Sequence, residues 1–166
     1  MLKLATLFIL LFGHQAICFG QHITDENFTL IDDFVSNQPD FLSDTLDLVQ
    51  QSTEGGQLIS YQHDDKAYIV FDIWLFGETG KIHAMYWTDR NLKFKIVKRT
   101  DSKYDRPFYE RGYKTTETTE YLSYVDNSVN CYDADRKLLK DSLVSRKQHD
   151  FEQLFKDAIS EIKIVK

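Results

Sequence analysis

Ala67 to Phe76 reads AYIVFDIWLF, and Gly77-Glu78-Thr79-Gly80 follows directly. Both alternating faces of this run are apolar or aromatic apart from Asp72, which predicts a central strand covered on both sides. The glycine-bracketed Glu78-Thr79 pair predicts a tight hairpin into Lys81 to Thr88. A hairpin of this kind commits the middle of the chain to an antiparallel sheet.

Working outward, the two-residue period extends from Gln57 to about Ala134. Asp89-Arg90-Asn91 is the next turn, and Leu92-Lys93-Phe94-Lys95-Ile96 alternates apolar residues with lysines, as a strand with one buried and one wet face requires. Thr100 to Thr116 is a long polar segment in which Pro107 and Gly112 argue against a continuous strand. Two strands follow, Glu117 to Val125 and Val129 to Ala134, joined by Asp126-Asn127-Ser128. A weak repeat runs through these turns: Tyr61, Tyr86 and Tyr124 each precede a turn-opening Asp (Asp64, Asp89, Asp126), whose side chain can bond the turn backbone.

The flanks carry helical spacing. Thr24 can cap a helix with Asp25 and Glu26 in its first turn and Phe28, Ile31 and Val35 on one face; Pro39 stops it. Asp40 to Gln51 reads as a second helical segment with Phe41, Leu42, Leu46 and Val49 on a wide apolar face. Glu54-Gly55-Gly56 is then a sharp turn. Near the C-terminus, Ser145 with Gln148 suggests a capping box, and Phe151, Leu154, Phe155, Ala158, Ile159 and Ile162 form one stripe. The expected fold is α+β: an antiparallel meander of about six strands, with N-terminal helical segments and a C-terminal amphipathic helix covering one face.

The first twenty residues stand outside that domain. Lys3 and the apolar run Leu4 to Phe12 read as an export leader, too short to span a bilayer, with cleavage after Gly20. The expected organisation is a leader at 1–20 and a single domain at 21–166 that begins at Gln21. Lipid on Cys18 is the lesser alternative, because Ile17 stands where a lipobox has a small residue. The expected location is therefore periplasmic, cell-surface or secreted, with the membrane reached only through the leader or a lipidated Cys18.

Composition narrows the class. In 166 residues there are 12 Phe, 9 Tyr and 2 Trp against 7 Gly, 2 Pro and 2 Cys, with 42% hydrophobic residues. These proportions exclude collagen-like, disulfide-scaffold and disordered chains. The net charge of −6 disfavours nonspecific nucleic-acid binding. Without the leader Cys131 is alone, and beside Val129 and Tyr132 it reads as a small buried hydrophobe.

Ser52-Thr53-Glu54-Gly55-Gly56, Gly77-Glu78-Thr79-Gly80-Lys81, Tyr86, Asp89, Phe94, Tyr104 and Pro107 together resemble a group of small, largely uncharacterised exported proteins of Gram-negative bacteria. The resemblance covers roughly residues 50 to 110. It implies a periplasmic or cell-surface β-meander domain and brings no catalytic residue with it.

Candidate chemistry is sparse. His63-Asp64-Asp65 reads as a hydrated turn, since adjacent residues at a strand end point to different faces. His22, His83 and His149 lack metal-ligand spacing, so no metal or other cofactor is expected. Asp72 interrupts the most apolar strand and needs a partner such as Lys81 or His83, or else a cavity shared with Trp74. No GxSxG elbow is present, and Glu117 and Glu120 sit three apart on a strand, facing opposite ways.

The segment from Lys103 to Lys114 is the stronger candidate, with Lys103, Tyr104, Arg106, Phe108, Tyr109, Arg111 and Tyr113 in one long loop. Aromatic faces and Arg forks on a loop held by a sheet suit binding. The competing reading folds these rings back onto the sheet. The sequence therefore points to a noncatalytic exported module that engages a protein, peptide or glycan of the cell envelope. The alternatives are an exported hydrolase-like enzyme with a cavity at Asp72, Trp74 and His83, or an inhibitor or assembly partner of another exported protein.

Overall fold

The computed structural model describes residues 26–37 and 40–162. The leader, Cys18, His22, Thr24, Asp25 and Pro39 lie outside them, as do the side chains of Val35 and Ile162. Helix α1 (Glu26–Asn37) is followed by seven strands: β1 (Leu42–Leu48), β2 (Gly56–Gln62), β3 (Tyr68–Gly77), β4 (Gly80–Asp89), β5 (Phe94–Tyr104), β6 (Thr115–Val125) and β7 (Ser128–Tyr132). Helix α2 (Val144–Ile162) ends the description. The strands pair in chain order, all antiparallel, as one open α+β meander.

The 67–76 run is the central strand it promised to be. Gly77 pairs with Gly80, which sets Trp74 opposite His83 and Asp72 opposite Met85. Odd-numbered β3 residues Phe71, Ile73 and Leu75 enter a core with Tyr86, Val97, Leu122 and Phe155 of α2. Even-numbered Tyr68 and Val70 enter a second core with Trp87, Ile96 and the α1 residues Phe28, Ile31 and Phe34. The two helices therefore cover opposite faces, not the one face expected. An apolar strand buried on both sides needs a cover on each, and the meander leaves its two ends free to supply them.

Other expectations are corrected in detail. Residues 40–51 do not form a second helix; Leu42–Leu48 extends the sheet as β1 against β2. Leu46 and Leu48 alternate with polar residues toward the α2 face, and Asp44 Oδ1 accepts the Thr45 N–H, a local bond that competes with helix formation. The 92–96 stretch is not half-exposed. Leu92 sits in the turn at φ 63°, and a register shift between Trp87 and Thr88 sends Phe94 to the α2 core and Ile96 to the α1 core.

The polar 100–116 segment is no continuous strand, as Pro107 and Gly112 argued: β5 runs on to Tyr104, β6 starts at Thr115, and 105–114 is loop. Thr100 bonds Thr119 at 2.9 Å and the Ser102 hydroxyl donates to Glu117 at 2.9 Å, so polar side chains pair across β5 and β6 where α1 does not reach. No capping box forms at Ser145, because a short 3-10 turn, Asp141–Leu143, leads into a helix that already begins at Val144. Gln148 donates instead to Glu152 at 2.8 Å. The turn aspartates behave as expected where Asp89 accepts the N–H groups of Lys93 and Asn91, which hold its carboxyl below the usual carboxylate range.

Docking of α1 is partly ionic. Asp33 accepts from Lys66 Nζ at 2.7 Å and from the Tyr68 hydroxyl at 2.8 Å, while Arg136 reaches Asp32 and lies over the Phe28 ring. On the α2 face, Tyr86 donates to the Phe151 carbonyl and Tyr124 to Glu152. Burial raises the hydroxyl pKa of Tyr68, Tyr86 and Tyr124 above the phenolic range, with Asp33 and Glu152 adding to the effect at Tyr68 and Tyr124. Burial likewise pushes the Cys131 thiol up to about 11.

Each of these groups favours its neutral form more strongly in the folded chain than in the unfolded one. Their stabilisation is complete below the unfolded thiol and phenol values, 9.0 and 10.0, and is lost as pH rises beyond them. The melting temperature is expected to be level between pH 7 and 9 and to fall steadily above pH 10. A Tm unchanged up to pH 11.5, followed by circular dichroism, would contradict this burial.

Candidate functional site

The short helix α1 covers only the half of its face nearest the β4–β5 and β6–β7 turns. Beyond Val70 and Trp87 no helix among the described residues covers this face. The register places Trp74, Asp72, His83, Met85, Thr100 and Thr119 there in neighbouring rows.

Asp72 and His83 are diagonal neighbours, and His83 Nε2–H donates to Asp72 Oδ1 at 2.7 Å. The Trp74 indole stacks on the His83 ring with centroids 3.7 Å apart and planes 11° apart, and Lys81 Nζ lies 5.4 Å from the Trp74 centroid. Of the two partners expected for Asp72, the structure selects His83 and gives Lys81 to Trp74. Asp72, Trp74 and His83 are brought together as one packed array. The cavities of about 320 Å³ and 360 Å³ at this end of the sheet, and the cleft of about 1020 Å³ at the other, are lined by other residues.

An Asp–His pair can hold an imidazole ready to take a proton, but nucleophilic catalysis also needs a hydroxyl or thiol on the other ring nitrogen. Among the described residues no such group bonds His83. Nor is any group of three or more His, Cys, Asp or Glu placed to hold a metal ion among them. His63 is occupied as a turn acceptor, its Nδ1 taking the Asp65 N–H at 3.1 Å. Glu117 and Glu120 do face opposite ways, toward Ser102 and toward Lys147 of α2. Cys131 is buried and unpaired by disulfide.

The loop between β5 and β6 spans 105–114 and is closed on itself. Asp105 N–H donates to the Lys114 carbonyl at 3.0 Å, and Lys114 N–H donates to Asp105 Oδ1 at 2.8 Å. Tyr104 N–H reaches the Thr79 carbonyl and Phe108 N–H the Glu78 carbonyl, both at 2.9 Å, which pins the loop to the β3–β4 hairpin. Its rings do not fold back into the core. Tyr109 is 63% exposed, Phe108 47% and Tyr113 42%, and only Tyr104, against Tyr113 at 5.0 Å, is half-buried. Lys103 and Arg111 are exposed, and Arg106 pairs with its neighbour Asp105 at 3.5 Å.

Loop and open face meet at one end of the sheet, because β5 carries the chain from Thr100 on the face to Tyr104 at the loop's foot. Phe76 is exposed on the same face, 6.3 Å from Trp74. Sequence reasoning did not single out Phe76 as a surface residue, since a run apolar on both faces hides which of its rings lies past the covering helix. The stacking of Trp74 on His83 was missed too, although the two-residue turn at Glu78-Thr79 fixes that pairing.

No helix among the described residues is long and apolar enough to cross a membrane. No protein-family model, no curated protein and no solved structure matches this chain.

Proposed function

We propose that this chain is a noncatalytic exported binding module, engaging a peptide, glycan or other envelope component through the 105–114 loop and the open face beside it. One observation carries the reading: Phe108, Tyr109 and Tyr113 expose their rings on a loop that backbone hydrogen bonds hold shut and pin to a hairpin. Exposing large rings has no folding benefit, and fixing them in place lowers the entropy lost when a partner binds. The Asp72–His83–Trp74 array supports the same reading as a rigid floor next to the loop.

Screening the purified protein against immobilised peptides and cell-wall glycan fragments tests it. Tyr109→Ala is expected to weaken the selected binder about thirtyfold, as for a central aromatic anchor. Arg106→Ala is expected to weaken it about fivefold, in line with a half-exposed charge. If both variants bind as the wild type does, the loop is not the site.

A further inference from the structure

An open seven-stranded sheet has two edges, and this one treats them differently. At β7 the chain returns alongside: Leu138 bridges to Tyr132, and Leu139 N–H donates to the Cys131 carbonyl at 2.7 Å. At β1 the described residues supply no neighbour beyond β2. Thr45 N–H is bonded to Asp44 Oδ1, and the bond from Phe76 N–H to the Gly55 carbonyl sets the odd-numbered β2 residues on β3, so that even-numbered β1 residues are the ones that bond β2. By strand alternation Ser43, Thr45 and Asp47 therefore aim their backbone groups outward. Such an edge is a template for another strand.

Its surroundings specify that strand. Between residues 40 and 62 the chain carries Asp40, Asp44, Asp47 and Glu54 and no lysine or arginine. At the C-terminal end of β1 a cavity of about 360 Å³ has Leu48, Val49 and Phe76 among its apolar lining and Asp47 and Glu54 among its polar lining. Apolar walls with two carboxylates suit a long side chain that buries its methylenes and ends in a cation. Leu42 and Val49, 73% and 76% exposed, flank the edge. A second copy of this chain is a poor occupant, since pairing β1 with itself brings together two sets of the same carboxylates without a cation.

We propose that the β1 edge binds an extended cationic peptide as an eighth strand, with a lysine or arginine of the peptide seated between Asp47 and Glu54. In the unliganded chain Asp44 holds the Thr45 N–H; on binding, a peptide carbonyl takes that hydrogen and releases the Asp44 carboxylate toward a peptide cation. This surface is separate from the aromatic loop; its edge and carboxylates, Thr45, Asp44, Asp47 and Glu54, belong to no part of the loop, and only Phe76 borders both regions.

The test uses two capped heptapeptides, one alternating threonine with lysine and the other threonine with glutamate, titrated by calorimetry. The lysine peptide is expected to bind, and the glutamate peptide to bind at least about tenfold more weakly. Thr45→Pro removes an outward donor that β2 does not use, so it should leave the melting temperature nearly unchanged and abolish binding. Should that variant misfold, the double variant D47K/E54K, which touches no ladder bond, should weaken the lysine peptide about tenfold. Tyr109→Ala should have no effect, which separates this site from the loop. Equal affinity for the two peptides, no binding of either, or unaltered binding by Thr45→Pro or by the D47K/E54K variant overturns the proposal. A concentration-dependent dimer that Thr45→Pro abolishes, seen by sedimentation, would assign the edge to a second copy and overturn it too.

Discussion

Replacing Phe155 by alanine is expected to lower the unfolding free energy by about 4 kcal/mol, the range for a buried ring removed from a core that cannot collapse. Phe155 is buried, and its ring lies 5.2 Å from Phe71 of β3, 4.9 Å from Tyr86 of β4 and 5.1 Å from Phe94 of β5. It ties α2 across three strands, and two of its contacts are edge-to-face, a geometry that adds to simple burial. Neighbouring backbones are fixed by ladders on both sides, so the gap cannot close. Urea denaturation with an unchanged m-value is the measurement. Gln153→Ala, on the wet side of the same helix, should change stability by less than about 0.5 kcal/mol. A cost below about 1 kcal/mol for Phe155→Ala would mean that α2 does not seal this face.

The second large effect is expected at a glycine. A Cβ on Gly80 would collide with the Ser102 carbonyl oxygen, which is β5 backbone. Ser102 is paired to a strand on each side, so its backbone cannot swing aside as a side-chain tip can, and Gly80→Ala should cost about 3 kcal/mol through forced strand displacement. The change has a functional reach, because Thr79 and Glu78 hold Tyr104 and Phe108 through their carbonyls. Faster hydrogen exchange at the Phe108 amide should accompany the loss of stability. Gly77→Ala is the control, its added Cβ meeting nothing closer than 3.4 Å; if the two variants are equally stable, the close approach of β4 and β5 is not what constrains position 80.

The centre of this fold is legible in the sequence because its signals agree. The apolar run at 67–76, the glycines at 77 and 80 and the alternation that follows each demand an antiparallel hairpin, and counting from that turn brings His83 to Asp72. Legibility fails where a short segment satisfies two periods. Leu42-Ser43-Asp44-Thr45-Leu46-Asp47-Leu48 can be wound or extended, and only the vacant edge of β2 decides for extension. It fails again at the register shift beside Trp87, since an extra residue sends Phe94 and Ile96, two apart, to opposite faces and leaves no mark in composition.

The candidate site shows the same division. That a loop lies within 103–114 follows from Pro107 and Gly112, but the sequence leaves its rings either exposed or folded back, and its true limits, 105 to 114, depend on Thr100–Thr119 and Ser102–Glu117 pairs that continue the strands. Local alternation cannot show that a face is uncovered. That depends on α1 being only 12 residues long and packing at one end of the sheet.

On the proposed reading, the ringed loop and the open half-face form one binding surface. Backbone amide NMR spectra of the protein, recorded while titrating in the tightest peptide or glycan from the screen, test it most directly. The predicted shifts cluster at 104–114, 74–83 and 98–102. Shifts confined to α2 or to the cleft between Asn27, Lys95 and Glu152 would contradict it.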